Sequence, residues 1–155
     1  MSEDDHGALL QSFQGHVQAD ESRVWEALLT VSPFVTEGMR RRSAEGAGRL
    51  GFPARPPEAD SDTSPVPGVN VEIDTVRHAL VISGQWWFRG VYETTAEDSG
   101  ARLRYRSYNV AGRGSRWLVP LVAGSALRAD GRAQFEDTLQ AVGRALSSAV
   151  RFEGE

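Results

Sequence analysis

Two phenols, a hydroxyl and a carboxamide recur at same-parity positions late in the chain: Tyr92, then Tyr105, Ser107 and Asn109. On neighbouring extended segments, residues two apart share a face, so these four groups converge if the segments pair. Trp86, Phe88 and Leu103 fall on the same face. A mostly apolar surface with a few orienting groups is the composition of a small-molecule pocket. The alternative is a packed core in which each phenol hydrogen-bonds locally. If such a pocket turned a substrate over, Tyr92 and Tyr105 would be the candidate acids and Ser107 or Asn109 would orient a carbonyl. Arg113 or Arg116 would then be the nearest guanidinium. No residue is identified as catalytic.

Composition closes many other routes. All 17 residues of the Lys plus Arg total are Arg, which removes Schiff-base chemistry and a phosphate-loop lysine. Cysteine is absent, so there are no disulfides and no thiolate nucleophiles or metal ligands. His6, His16 and His78 are too scattered for a His-x-x-x-His zinc site. Glu58-Ala59-Asp60-Ser61-Asp62 lacks calcium-loop spacing, and Gly112-Arg113-Gly114 lacks a third glycine. No metal and no cofactor are expected. A net charge of −4 argues against a nucleic-acid partner. The alternating Arg102, Arg104 and Arg106 therefore read as a solvated strand face paired with acids, and Arg40-Arg41-Arg42 is a non-specific basic run. No apolar run approaches the ~20 residues of a membrane span. The acidic start Met1-Ser2-Glu3-Asp4-Asp5 is unlike a signal peptide, and a cytoplasmic protein is expected.

At 155 residues the chain has the size of one domain, 1–155, with 1–8 expected to be flexible. Leu9, Phe13 and Val17 suggest a first strand over Leu9 to Ala19. Asp20 reads as a helix cap, with Glu21 favouring the positive end of the helix dipole. Val24, Leu28 and Val31, flanked by Trp25 and Leu29, supply an apolar helical stripe. Ser32-Pro33 restarts a short second helix to about Met39. Arg40 to Gly68 is punctuated by Gly and Pro and reads as a loop, with one short strand near Arg49 to Phe52. Such a loop is either a cavity cover or a passive connector.

Val69 to Ala111 reads as a three-strand antiparallel meander turning at Arg77-His78 and Asp98-Ser99. One face collects Val69, Val71, Ile73, Ile82, Gly84, Trp86, Phe88, Gly90, Tyr92, Thr94, Leu103, Tyr105, Ser107 and Asn109. The register sets Tyr92 opposite Tyr105 and Glu93 opposite Arg104. The middle strand, Leu80 to Ala96, is unusually long, and Gly84 and Gly90 are natural bends. Trp87 falls on the outward face near Val81 and Val91. Phe135, Leu139, Val142, Leu146 and Ala149 form one helical stripe beginning near Gly131, after a short helix or turn over Arg116 to Gly124. The class is α+β.

Several strings carry a resemblance. Val17-Gln18-Ala19-Asp20-Glu21-Ser22-Arg23-Val24-Trp25 resembles the opening strand, break and helix of the START-like or SRPBCC superfamily. That group includes polyketide cyclases and birch-pollen-allergen-like carriers. Tyr92-Glu93-Thr94 through Gly100 to Tyr105 is similar to its paired late strands, and the terminal amphipathic helix is similar to its last helix. Trp86-Trp87-Phe88-Arg89-Gly90 and Tyr108-Asn109-Val110-Ala111 look like a branch of unassigned function. The Pro-rich Arg40–Gly68 stretch departs from the pattern. The resemblance implies a helix-grip fold, in which a curved antiparallel sheet wraps a long C-terminal helix, with two short helices after the first strand. It also implies a cavity between sheet and helix. The inward set would be the floor and Phe135, Leu139, Val142 and Leu146 the roof. The expected ligand-binding residues are therefore Trp86, Phe88, Tyr92, Leu103, Tyr105, Ser107, Asn109, Phe135, Leu139 and Val142, and the expected partner is a hydrophobic small molecule. The competing readings are a cofactor-free cyclase or aromatase, and an interaction module that forms a homodimer through Trp87.

Overall fold

The computed structural model describes residues 7–54, 63–84, 87–111 and 118–155, the last with backbone only as far as residue 129. It is an α+β fold: among the described residues seven antiparallel strands form one open, curved sheet, with three helices. The elements run β1 (Ala8–Val17), α1 (Glu21–Val31), α2 (Glu37–Ala44), β2 (Arg49–Phe52), β3 (Val69–Asp74), β4 (Ala79–Gly84), β5 (Phe88–Glu97), β6 (Gly100–Asn109), α3 (Leu118–Leu146) and β7 (Val150–Gly154). The strand order is β2-β3-β4-β5-β6-β1-β7. Among the described residues no helix is long and apolar enough to cross a membrane.

The expected long middle strand is two strands. Gly84 of β4 pairs with Phe88 of β5, so the chain reverses where the sequence pattern suggests a continuous strand. The face assignment survives this correction for a geometric reason. Paired residues share a face, and 84 and 88 have the same parity, so Ile82, Gly84, Phe88, Gly90 and Tyr92 stay on one side. The Asp98-Ser99 turn is as expected, with Tyr92 opposite Tyr105 and Glu93 opposite Arg104. Gly100 follows that turn at φ 148 and passes against the Val17 carbonyl, where a side chain would clash.

Other boundaries moved. Ser32 closes α1 rather than opening α2, which starts behind Thr36. The Thr36 hydroxyl accepts from the Met39 N–H at 3.2 Å, capping the helix. Arg40-Arg41-Arg42 is thus helical and not loop. A bulge at Leu10 shifts the β1 register, leaving Leu9 exposed and burying Gln11, Phe13, Gly15 and Val17. Gly131 lies inside α3, which begins at Leu118 with Pro120 in its first turn, where proline costs little. The helix stops at Leu146, because Ser147 adopts φ 51 and Ser148 N–H donates to the Gly143 carbonyl at 2.9 Å. Ala149 is therefore outside the helix, and the chain ends in an edge strand that the sequence reading did not anticipate.

The core lies between the inner face of the sheet and the helices. Phe135, Leu139 and Val142 of α3 meet Phe13, Val17 and Leu103 of the sheet and Val24 and Leu28 of α1, all buried. Phe13 stacks on Phe135 at 6.0 Å between centroids, and Phe152 of β7 tilts against both. On the outer face, ion pairs stitch the strands. Glu97 sits between His16 (2.8 Å) and Arg102 (2.5 Å), linking β1, β5 and β6.

The hydrogen bond from His16, reinforced by the nearby Arg102 charge, holds the Glu97 carboxyl below its ordinary value. A depressed carboxylate contributes stability that is present above its unfolded pKa and lost as pH falls through the folded one. Urea melts from pH 6 down to pH 2 should show this loss beginning near the ordinary carboxylate value. In His16→Ala the acid slope attributable to Glu97 should shrink. An unchanged slope would mean the cluster contributes nothing to the fold.

Candidate functional site

The inner face of β5 and β6 carries a tyrosine pair. The Tyr92 and Tyr105 rings lie 4.6 Å apart between centroids, tilted by 40°. Gly90 makes this possible: a Cβ there would stand 2.9 Å from the Tyr105 hydroxyl oxygen and 3.1 Å from its ring. The missing side chain lets the Tyr105 phenol lie flat across β5.

A cleft of ≈ 610 Å³ opens beside Tyr92, between the α1–α2 connection and α3. Leu28, Val31, Pro33 and Phe34 form one wall and Ala141 part of the other. The polar groups are few: Ser32, Gln134, Thr138, Asp137 and Arg144. Tyr92 supplies the floor.

Burial pushes the Tyr92 phenol above its ordinary value, and a hydrogen bond with Thr138 offsets part of the shift. Tyr105 is also raised, first by burial and then by its neighbour Tyr92, with Ser107 opposing. Both phenols stay neutral across physiological pH. They can orient a ligand by hydrogen bonding but are poorly matched to proton transfer near pH 7, where an acid of nearby pKa works best.

The sequence-derived residues fall into three groups. Tyr92 lines the cleft, with Tyr105 packed behind it and Phe88 half-buried further along the same face. Leu103, Phe135, Leu139 and Val142 are buried in the packed core, where Phe13 and Phe152 fill the space against the helix. Ser107 and Asn109 are buried at 1% and 2% exposure. Asn109 Oδ1 accepts from the Ala111 N–H at 3.0 Å and so closes the end of β6. Ser107 Oγ and Nε2 of Gln11, directly opposite on β1, make no geometrically sound hydrogen bond among the described residues. Trp86, Arg113 and Arg116 lie outside the described residues.

Trp87 does not stand on the outer face of a strand. It sits just before β5, half-buried and edge-on to Phe88 at 5.7 Å. Arg106 pairs with Glu93 at 2.5 Å, diagonal to the register partner Arg104, and Arg102 pairs with Glu97, so most of the arginine row is engaged by acids. Among the described residues no group of acidic or histidine side chains has the arrangement of a metal site.

Sequence reading missed most of the cleft wall. Leu28 and Val31 were visible as one apolar stripe, but Phe34, Thr138 and Arg144 carried no signal of a shared site. Compared with known proteins, the chain matches no family model, no curated protein and no solved structure.

Gly90 tests the tyrosine arrangement. Gly90→Val should force the Tyr105 phenol off β5 and destabilise the fold by about 1–3 kcal/mol, the usual range for overpacking. Denaturant melts measure this, and an NMR shift of the Tyr92 ring should accompany it. A neutral substitution would show that Tyr105 does not need the gap.

Proposed function

We propose that the chain is a helix-grip domain that binds a hydrophobic, aromatic or lipid-like small molecule in the cleft between the α1–α2 connection and α3, with Tyr92 of the sheet at its floor. The observation that carries this reading is the ≈ 610 Å³ cleft with apolar walls, a neutral phenol at its floor and sparse polar groups around it. That volume and lining fall within the usual range of small-molecule sites. The element order of strand, two helices, strands and long helix supports the resemblance to START-like proteins. β7 is an addition to that pattern at the sheet edge.

Binding is favoured over turnover by the phenols. Both are raised by burial, which leaves them as hydrogen-bonding groups rather than acids poised near neutrality. The polar atoms of Thr138, Gln134 and Ser32 then serve orientation.

A neutral fluorescent hydrophobe, N-phenyl-1-naphthylamine, is the test ligand. It should bind saturably with a stoichiometry of one. Ala141→Trp fills the cleft from a half-exposed position on α3 and should weaken binding about tenfold or more, equivalent to about 1.4 kcal/mol. Tyr92→Phe should bind with a smaller change, because it keeps the ring and loses only the hydroxyl. Absence of saturable binding, or full affinity in Ala141→Trp, would remove the proposal. Native mass spectrometry of the purified protein adds an independent check, since a retained ligand appears as extra mass that is lost on denaturation.

A further inference from the structure

On the opposite side of α1 lies a second cleft, ≈ 400 Å³, between α1, α2 and the β3–β4 turn. Its walls include Trp25 and Leu29 of α1, Arg40 and Ala44 of α2, and His78 of the turn. His78 adopts φ 52, the left-handed region, which costs energy for any residue with a Cβ. The surrounding contacts hold it there. Asp74 Oδ1 accepts from the Val76 and Arg77 N–H groups at 3.0 Å each, shaping the turn. The His78 ring stacks on Trp25 at 5.2 Å with 14° between planes. Its Nδ1 lies 2.5 Å from Glu21 Oε1, and the same oxygen accepts from the Thr94 hydroxyl.

Glu21 thus does more than favour the helix dipole. It spends one carboxylate oxygen on fixing the imidazole, and a carboxylate on Nδ1 leaves Nε2 as the ring nitrogen open to a ligand. With Nδ1–H given to Glu21, Nε2 of the neutral ring is an acceptor, and Arg40 supplies the donor. One of its terminal nitrogens donates to Thr30 Oγ1 at 3.0 Å, while its Nε is buried with no hydrogen-bond partner among the described residues. Among the described residues Arg40 forms no salt bridge with an acid, unlike Arg102 and Arg106 on the sheet. Glu26 is the one carboxylate on the wall of the cleft. One guanidinium in a wall that also holds one carboxylate favours a monoanion over a more highly charged group. Trp25 and Leu29 supply the apolar wall for a flat body beside the charge.

We propose that this cleft is a second binding site, separate from the one at Tyr92, and that it takes a small aromatic or apolar carboxylate whose charge is held by Arg40 and whose body lies against the Trp25–His78 stack. Stacking, orientation and an unpaired guanidinium in one concave surface are what carry it. None of these features is needed by the hydrophobic site on the other side of α1.

The probes are 2-naphthoate and its neutral counterpart 2-naphthamide, titrated into the full chain and followed by NMR signals of the Trp25 indole and the His78 ring. Naphthoate should shift both saturably, and naphthamide should bind about tenfold or more weakly, as expected when one charge-assisted hydrogen bond is lost. Arg40→Gln, at a half-buried position on α2, should erase the difference between the probes. Arg40→Lys should restore part of it. His78→Asn keeps a residue tolerant of the left-handed backbone and should also weaken naphthoate. Equal binding of the two probes, naphthoate shifts confined to Thr138 and Ala141, or full affinity in Arg40→Gln would each overturn the proposal.

Discussion

Phe13 of β1, Phe135 of α3 and Phe152 of β7 meet in a three-ring contact, and the rest of the molecule is arranged around it. β1 carries the first ring into the sheet between β6 and β7, α3 lays the second across the inner face, and the returning chain adds the third. Gly15 permits the close approach, since a Cβ there would stand 2.6 Å from a Leu139 methyl. Aromatic pairs of this kind add to the burial of apolar area that drives folding. This contact seats the carboxyl-terminal half of α3 on the sheet, and that half of α3 supplies one wall of the cleft beside Tyr92.

The two faces of the sheet divide the chemistry. Inward groups are apolar or neutral, and the tyrosine hydroxyls stay protonated because burial penalises their charge. The charged outward groups include arginines and glutamates whose pairs cross strand boundaries. Exposed pairs of this sort contribute little individually. Glu21 stands apart from both sets: its carboxylate leaves the first turn of α1 to meet His78 and Thr94. That contact ties α1 to the β3–β4 turn and creates a polar corner within an otherwise apolar packing.

Much of the sheet was legible in the sequence because side-chain alternation has a period of two and depends on nothing distant. Tyr92 opposite Tyr105 followed from counting across a two-residue turn. The same counting kept the faces right even though the Leu80–Ala96 segment is two strands, since a reversal between Gly84 and Phe88 preserves parity. Counting failed at Leu9, where the bulge at Leu10 adds a residue without any marker such as glycine. It failed again at Ser147, where a helix ends in a left-handed serine that looks like any other polar residue in the sequence.

By itself, then, the sequence determined the α+β class, which residues of β3 to β6 share a face, and the apolar stripe of α3, all of which follow from local periodicity. It also determined the neutral, apolar character of the inner face, because the arginines alternate out of phase with the tyrosines. Only the tertiary structure decided where strands and helices stop, because those ends are set by pairing and by backbone carbonyls seeking partners elsewhere. Only it decided that Leu103, Phe135, Leu139 and Val142 are packed against one another while Tyr92 borders open space. And only it brought Glu21 to His78, 57 positions apart, since packing of α1 on the sheet is what makes those two side chains neighbours.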